Sequence, residues 1–311
     1  MSSGLPSDDL EEIASRFSSL LRLLTHDGKD NRPPETQTML IDRVRDALDR
    51  RLPHFPSDDP IFIAGSFLIE EIVHRHECTE IGRLRHRDLG TLHALKTVTP
   101  SHANDVVARR LLLREADIGM ALHHPHIART QIALRLPDGR PAIVMEWAGA
   151  PLSRRLAAGA ISARDIVEMM SGLLSGLQAI HEAGYVHCDI TPANLLLPDN
   201  DFRGLKIADF GVALKQGGRN RDLEIKMAGT PPFMAPEQAD GAAADLRSDL
   251  YSAGRVLHVL LDGCEETGDD VENIRAFAEH LTRPDPSMRP ASAAAALGLL
   301  GTLSAEPLRS F

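Results

Sequence analysis

The sequence predicts an α+β protein of two lobes with a cleft between them. Three observations carry that prediction. Short strand-like runs separated by Gly and polar turns fill residues 61–98, helical patterns dominate after Pro151, and a helical stretch with two further strand candidates joins the two regions. Strands first and helices after is the order of a segregated α+β fold rather than of alternating βαβ units. A chain of 311 residues, 43% of them hydrophobic, is long enough to bury such a core.

Each element has its own signal. Leu10, Ile13, Phe17, Leu20, Leu21 and Leu24 recur at spacings of three and four, which predicts an amphipathic helix over 7–24. A second is expected over 35–52, with Leu40, Ile41, Val44 and Leu48 on one face. The polar breaker HDGKDNRPP lies between them, and the stretch from Pro53 to Pro60 punctuates the end. Residues 1–58 therefore read as a helical hairpin extension and linker, expected either to pack on the next domain or to dock a regulator. The strand-like runs FIAGSFLIEEIV, EIGRLRHRDLG and TLHALKTV follow, then the helical VVARRLLLREADIGMAL, then strand candidates around Ile132 and over 142–145. The main domain is placed at 59–303, with a small lobe over 61–148, a large lobe over 149–303 and a tail over 304–311.

Bulk properties exclude several classes. A formal charge of −10 argues against a broad nucleic-acid footprint, which needs clustered Lys and Arg in excess. No apolar run approaches membrane-spanning length, so no membrane association is expected. Three widely spaced cysteines, Cys78, Cys188 and Cys264, speak for a reducing compartment. The opening MSSGLPSDDLEE is acidic where a secretory signal is basic and then apolar, so a cytoplasmic protein is expected, with export as an effector lacking a cleavable signal left open.

Two stretches carry the chemistry: His187-Cys-Asp-Ile-Thr-Pro-Ala-Asn194 and Ile207-Ala-Asp-Phe-Gly211. Asp189 and Asn194, five apart in an extended loop, and Asp209 ahead of a flexible Gly offer hard oxygen ligands for magnesium. They also offer a carboxylate that can orient a hydroxyl. That is a phosphoryl-transfer layout. In order with Ala94-Leu-Lys96 upstream and Gly229-Thr-Pro-Pro-Phe-Met-Ala-Pro-Glu237 downstream, these motifs make the chain resemble the eukaryotic-type protein kinase family, in the style of bacterial Ser/Thr kinases, over roughly 61–300.

The resemblance implies the two-lobed protein kinase fold, ATP and Mg2+, and a protein substrate. It implies that Lys96 holds the α and β phosphates and pairs with Glu115, and that Asp189 accepts or orients the substrate hydroxyl. Asn194 and Asp209 would bind magnesium, and Thr230 would touch the catalytic aspartate from the substrate side. Met145 would border the adenine pocket, Glu146, Trp147 and Ala148 would form the hinge, and Ile81, Ala94 and Leu196 would enclose the ring. Asp249 would steady the catalytic loop and Arg289 would pair with Glu237, both in structural roles.

Five departures from the family pattern stand out. The stretch HRHECT falls where the family has its glycine-rich phosphate loop, with His74, His76 and Thr79 at the glycine positions. Side chains there hold the loop farther from a nucleotide, although Arg75 or a histidine could supply charge instead. A zinc site is the alternative for this stretch, because His74, His76 and Cys78 alternate and would share one strand face, with His86 or His93 as a fourth ligand. Cys188 replaces the arginine that grips a phosphorylated activation loop (a non-RD pattern), and Thr230 is the only hydroxyl residue between Gly211 and Glu237, so activity is expected not to depend on activation-loop phosphorylation. Thr191 replaces a lysine that neutralises the γ phosphate, and Gly119 replaces a bulky residue of the internal spine, which raises the question of support from the N-terminal hairpin. The segment Cys264–Thr282 is short for the usual substrate-docking region. Besides a Ser/Thr kinase, a pseudokinase scaffold and a kinase-fold enzyme that transfers another group such as AMP remain as readings.

Overall fold

The computed structural model describes residues 7–34, 36–37, 39–41, 44, 62–224 and 229–305. The chain divides into two compact units, residues 1–59 and 60–311. In the first, α1 (Ser7–Thr25) is the expected amphipathic helix. The stretch read as a breaker folds as a small antiparallel hairpin of β1 (His26–Asp27) and β2 (Asp30–Asn31), in which Asp27 pairs with Asp30 and Gly28 turns at φ 67°. Residues 36–37, 39–41 and 44 are helical, and the rest of the helix expected over 35–52, with the linker after it, lies outside the described residues.

The second unit opens with a six-stranded antiparallel sheet. In chain order its elements are β3 (Phe62–Ile63), β4 (Phe67–Arg75), β5 (Thr79–His86), β6 (Leu92–Val98), the helix α2 (Val106–Ala121), β7 (Thr130–Arg135) and β8 (Pro141–Glu146). The spatial order is β3-β4-β5-β6-β8-β7. The run expected as one strand, FIAGSFLIEEIV, is two, because Ala64 and Gly65 take positive φ and fold Phe62 back onto Leu68. Alternation along the strands gives the sheet two faces. Leu84, Leu95 and Val144 pack with Ile63 and Leu136 on one, whereas Val98 and Ile143 meet Ala108, Leu112 and Ala116 of α2 on the other. Lys96 follows Leu95 and pairs with Ile143, so it belongs to the face covered by α2.

The large lobe comprises β9 (Ala150–Pro151), α3 (Leu152–Leu156), α4 (Ala163–Glu182), β10 (Tyr185–Val186), β11 (Leu195–Leu197), β12 (Lys206–Ile207), β13 (Leu214–Lys215), α5 (Pro236–Ala239), α6 (Leu246–Asp262), α7 (Asp269–Leu281) and α8 (Ala293–Ala305). Its centre is α4, whose Ile166, Met169, Met170, Leu173 and Leu177 are fully buried against α6, α7 and α8. Each such side chain contributes about 1.5–3 kcal/mol of burial. The segment Cys264–Thr282 holds one helix, α7. Among the described residues, no helix is long and apolar enough to cross a membrane.

The short strands β9–β13 escape sequence periodicity because two or three residues cannot display it. They matter all the same, since β10 pairs with β13 and β12-β11-β9 form a second small sheet. Those pairings fix both ends of the two loops that hold the motif residues.

Candidate active site

The β11–β12 hairpin pairs Leu195 with Ile207, and Ala208 N donates to Asn194 O at 2.9 Å. Asn194 and Asp209 therefore emerge side by side. Asn194 Nδ2 donates to the backbone oxygen of Asp189 (2.9 Å) and to its Oδ2 (2.8 Å), which leaves Asn194 Oδ1 as an open acceptor. Thr230 Oγ1 donates to Asp189 Oδ1 at 2.8 Å, so the downstream motif closes over the same carboxylate.

Lys96, Glu115 and Asp209 form a second cluster. Lys96 Nζ lies 2.9 and 2.8 Å from the two Glu115 oxygens and 2.8 Å from Asp209 Oδ1. The Lys96 and Glu115 side chains are 7% and 5% exposed, whereas Asp209 is 40% exposed and so offers oxygen to the cleft. Burial opposes charge on Lys96, but the Asp209 and Glu115 carboxylates outweigh it and hold the ammonium above its ordinary value. Burial pushes Glu115 up to about 7 in spite of Lys96, with the nearby Asp209 adding to the rise. For Asp209 burial is likewise the largest influence, upward, yet Lys96 and the Gly211 N–H reverse it and keep the carboxylate ionised. Two hard oxygens, Asn194 Oδ1 and the Asp209 carboxylate, make a donor set that fits magnesium.

Backbone geometry at both loops is held from behind. Asp249, fully buried on α6, accepts from His187 N (2.8 Å) and Cys188 N (2.9 Å), and His181 Nε2 lies 2.9 Å from it. Cys188 sits at φ 67°, a left-handed conformation costing roughly 1–3 kcal/mol, and Gln238 pins its carbonyl at 2.7 Å. Gly229 allows that approach, since a Cβ there would meet Cys188 O at 2.6 Å. Arg289 forks onto Glu237 with contacts of 2.7 and 2.9 Å, as the motif reading expected.

Sequence motifs assign no role to His187 or His181. The His187 ring packs on Phe210 and bridges the loops, with Nε2 3.1 Å from Ala208 O and Nδ1 accepting from Asp189 N at 3.3 Å. His187 stood inside a quoted motif, so a signal was present. His181 lies outside every motif and gave none.

Of the expected adenine-pocket residues, Ala94 pairs directly with Met145, and His93 pairs with Glu146 at the end of β8. Ile81, Ala94, Met145, Trp147 and Leu196 are half-buried and Ala148 is buried. The Glu146 carboxylate accepts from Arg129 N at 2.8 Å and meets Lys206 Nζ at 3.0 Å, which fixes the end of that strand.

The zinc reading of HRHECT fails on register. His74 pairs with Ile81 near the tip of the β4–β5 hairpin, whereas His86 pairs with Phe67 at the opposite end, and His93 packs edge-on to the same Phe67. The expected fourth ligands are thus strand-lengths away. His74, Arg75 and His76 are exposed, and Arg75 Nε lies 3.3 Å from Glu80, so its charge already has a partner. Cys78 turns inward and packs with Val98, Ala108 and Leu112. The hairpin tip is closed by His76 N donating to Thr79 O at 2.8 Å.

Two other departures have local explanations. Cys188 is 3% exposed and packs with Val186, Leu214 and Leu223, an apolar cluster in the place of a charged phosphate-binding side chain. Gly119 is filled from outside, because a Cβ there would meet Thr130 Oγ1 at 2.2 Å. We expect Gly119→Leu to cost about 1–3 kcal/mol through overpacking, read as a lower denaturant midpoint and partly relieved by Thr130→Ala. Thr191 is buried in the loop between β10 and β11.

The sequence of a protein kinase domain matches residues 77–295. The chain belongs to the protein kinase family. The kinase PknB of Mycolicibacterium smegmatis, described as a serine/threonine-protein kinase, is 33% identical over 185 residues, 57% of this chain and 29% of that one. The serine/threonine-protein kinase PknJ of Mycobacterium tuberculosis is 30% identical over 236 residues, 73% of this chain and 40% of that one. The crystal structure of the Mycobacterium tuberculosis PknI kinase domain superposes with a TM-score of 0.59 at 20% identity, covering 80% of this chain and all of that one, which shows the shared fold. The chain spans less than a third of the length of the curated relatives first matched.

Proposed function

We propose that this kinase domain transfers the γ-phosphoryl group of ATP to a Ser or Thr hydroxyl of a protein, with Mg2+ as cofactor. The observation that carries the reading is the joint presence of the buried Lys96–Glu115 pair and the converging Asp189, Asn194 and Asp209 side chains. Asp189, within reach of Thr230, receives or orients the proton of the substrate hydroxyl as its oxygen bonds to phosphorus and ADP leaves. Asn194 and Asp209 hold Mg2+, which neutralises charge on the phosphates. Lys96 grips the α and β phosphates, kept charged and aimed by Glu115. Ile81, Ala94, Met145 and Leu196 enclose the adenine, with Glu146, Trp147 and Ala148 as the hinge, and His74, Arg75 and His76 cover the phosphates.

We take the catalytic domain to span 59–303, preceded by an extension over 1–58 that serves it or a partner. The apolar burial of Cys188 supports activity without a phosphorylated activation loop. Arg110, on α2, already pairs at 2.9 Å with Glu224 of that loop, through an exposed contact that solvent screens. Glu224→Gln is therefore expected to leave turnover within about twofold, and a phosphatase-treated sample should keep its activity. A tenfold fall after phosphatase would contradict this.

The function itself is tested by incubating the purified chain with Mg2+, ATP and a generic Ser/Thr-rich protein, then mapping phosphates by mass spectrometry. Phosphoserine or phosphothreonine in the substrate is the expected result. Tight ATP binding without any phosphate transfer would make the chain a scaffold of the same fold.

A further inference from the structure

Cys78, His102 and Asp105 take no part in the site above, yet the fold brings them together. One ligand-type atom of each lies within 4.8 Å of those of the other two, and all three residues are half-buried. They come from three segments: the β4–β5 turn, the single helical turn Pro100–His102 after β6, and the cap of α2. A chain of backbone bonds assembles them. Thr99 N donates to Cys78 O (2.9 Å), His102 N to Thr99 O (3.0 Å) and Asp105 N to His102 O (3.0 Å).

The hydrogen bonds around the cluster leave one donor atom open on each residue. Asp105 Oδ1 accepts from Val107 N and Ala108 N at 2.9 and 3.0 Å, which leaves Oδ2. His102 Nδ1 lies 2.9 Å from Thr99 Oγ1 and 3.1 Å from Ser101 Oγ, which leaves Nε2. A ligand histidine whose other ring nitrogen is held by an oxygen is the usual outer-shell arrangement of a metal site. Cys78 is a free thiol.

We propose that Cys78, His102 and Asp105 bind a divalent cation of the zinc class at a site separate from the active centre. A sulfur, an imidazole nitrogen and a single carboxylate suit zinc, whereas magnesium and calcium require all-oxygen sets. Three protein ligands leave a fourth position for water. Binding replaces the thiol S–H by an S–metal bond and releases that proton to solvent, with no change of oxidation state. The bound ion ties the turn that stands in the phosphate-loop position to the start of the helix that carries Glu115. It thereby supplies a fixed loop where the family relies on glycine flexibility.

The metal-stripped full chain is titrated with Co2+ as a spectroscopic probe and then with Zn2+ in competition, without nucleotide, so the outcome does not depend on catalysis. We expect a thiolate-to-cobalt charge-transfer band that saturates at one ion per chain and is displaced by zinc. Cys78→Ser abolishes the band and Cys264→Ser leaves it. Thr99→Val combined with Ser101→Ala, which removes both hydroxyls from His102 Nδ1, weakens zinc binding about 10–100-fold. No charge-transfer band in the wild-type chain, or one that survives Cys78→Ser, would overturn the proposal. Circular dichroism establishes that each variant is folded, and His102→Gln replaces any variant that is not.

Discussion

Asp189→Asn is expected to lower phosphate transfer by about 10²–10⁴-fold while ATP binding stays within a few-fold of wild type. The amide keeps the size of the carboxylate, its oxygen can still accept from Asn194 Nδ2, and its NH2 can donate to the Thr230 hydroxyl, which turns to accept, so the loop should remain in place. What it loses is the charge that accepts or orients the hydroxyl proton. The contacts expected to govern nucleotide affinity, at Lys96 and Asp209, are untouched. Single-turnover kinetics beside an ATP titration separates the two effects. A variant with equal losses in binding and turnover would place Asp189 in nucleotide binding.

Arg289→Met is expected to destabilise the chain by about 3–5 kcal/mol, a large share of a typical 5–15 kcal/mol. The Arg289 side chain is 0% exposed and that of Glu237 16%, and the guanidinium also donates to Arg283 O, Arg247 O and Pro284 O. Its removal strands a half-buried carboxylate together with three carbonyls. Ser248 Oγ, 2.7 Å from Glu237, compensates in part. Urea unfolding should show a lower midpoint at unchanged slope, and the double change with Glu237→Gln should recover some of the loss because the stranded charge is gone. Burial alone would raise Glu237, yet Arg289 and Ser248 hold it below its ordinary 4.5. The stability this pair confers is therefore complete above 4.5 and is lost as pH falls through the depressed folded value. A midpoint unchanged from wild type at neutral pH would remove the pair from the list of stabilising contacts.

Sequence alone made the two lobes legible because the strands and long helices there obey simple periods. The helix of Glu115 and the strand of Lys96 were readable for that reason, and their pairing came from the family resemblance. The short strands β9–β13 and the turn at Ala64-Gly65 were not readable, since two residues show no period and the turn sits inside an apolar run. Spacing along the strand suggested His74, His76 and Cys78 as one metal face. Register decides instead: Cys78 turns away from the histidines toward His102 and Asp105, residues far along the chain that only the loop after β6 brings close. Gly119 looked like a loss of packing from sequence, and Thr130 across the interface supplies what the glycine lacks.

A cleft that transfers phosphate differs measurably from one that only binds a nucleotide. The most direct measurement supplies the purified chain and a protein substrate with Mg2+ and ATP labelled at either the α or the γ phosphate, beside an Asp209→Ala control. Protein-bound label from the γ position alone, absent in the control, is the expected result. Label from the α position would mean nucleotide transfer, and no label from either would contradict the assignment of catalysis to Lys96, Asp189, Asn194 and Asp209.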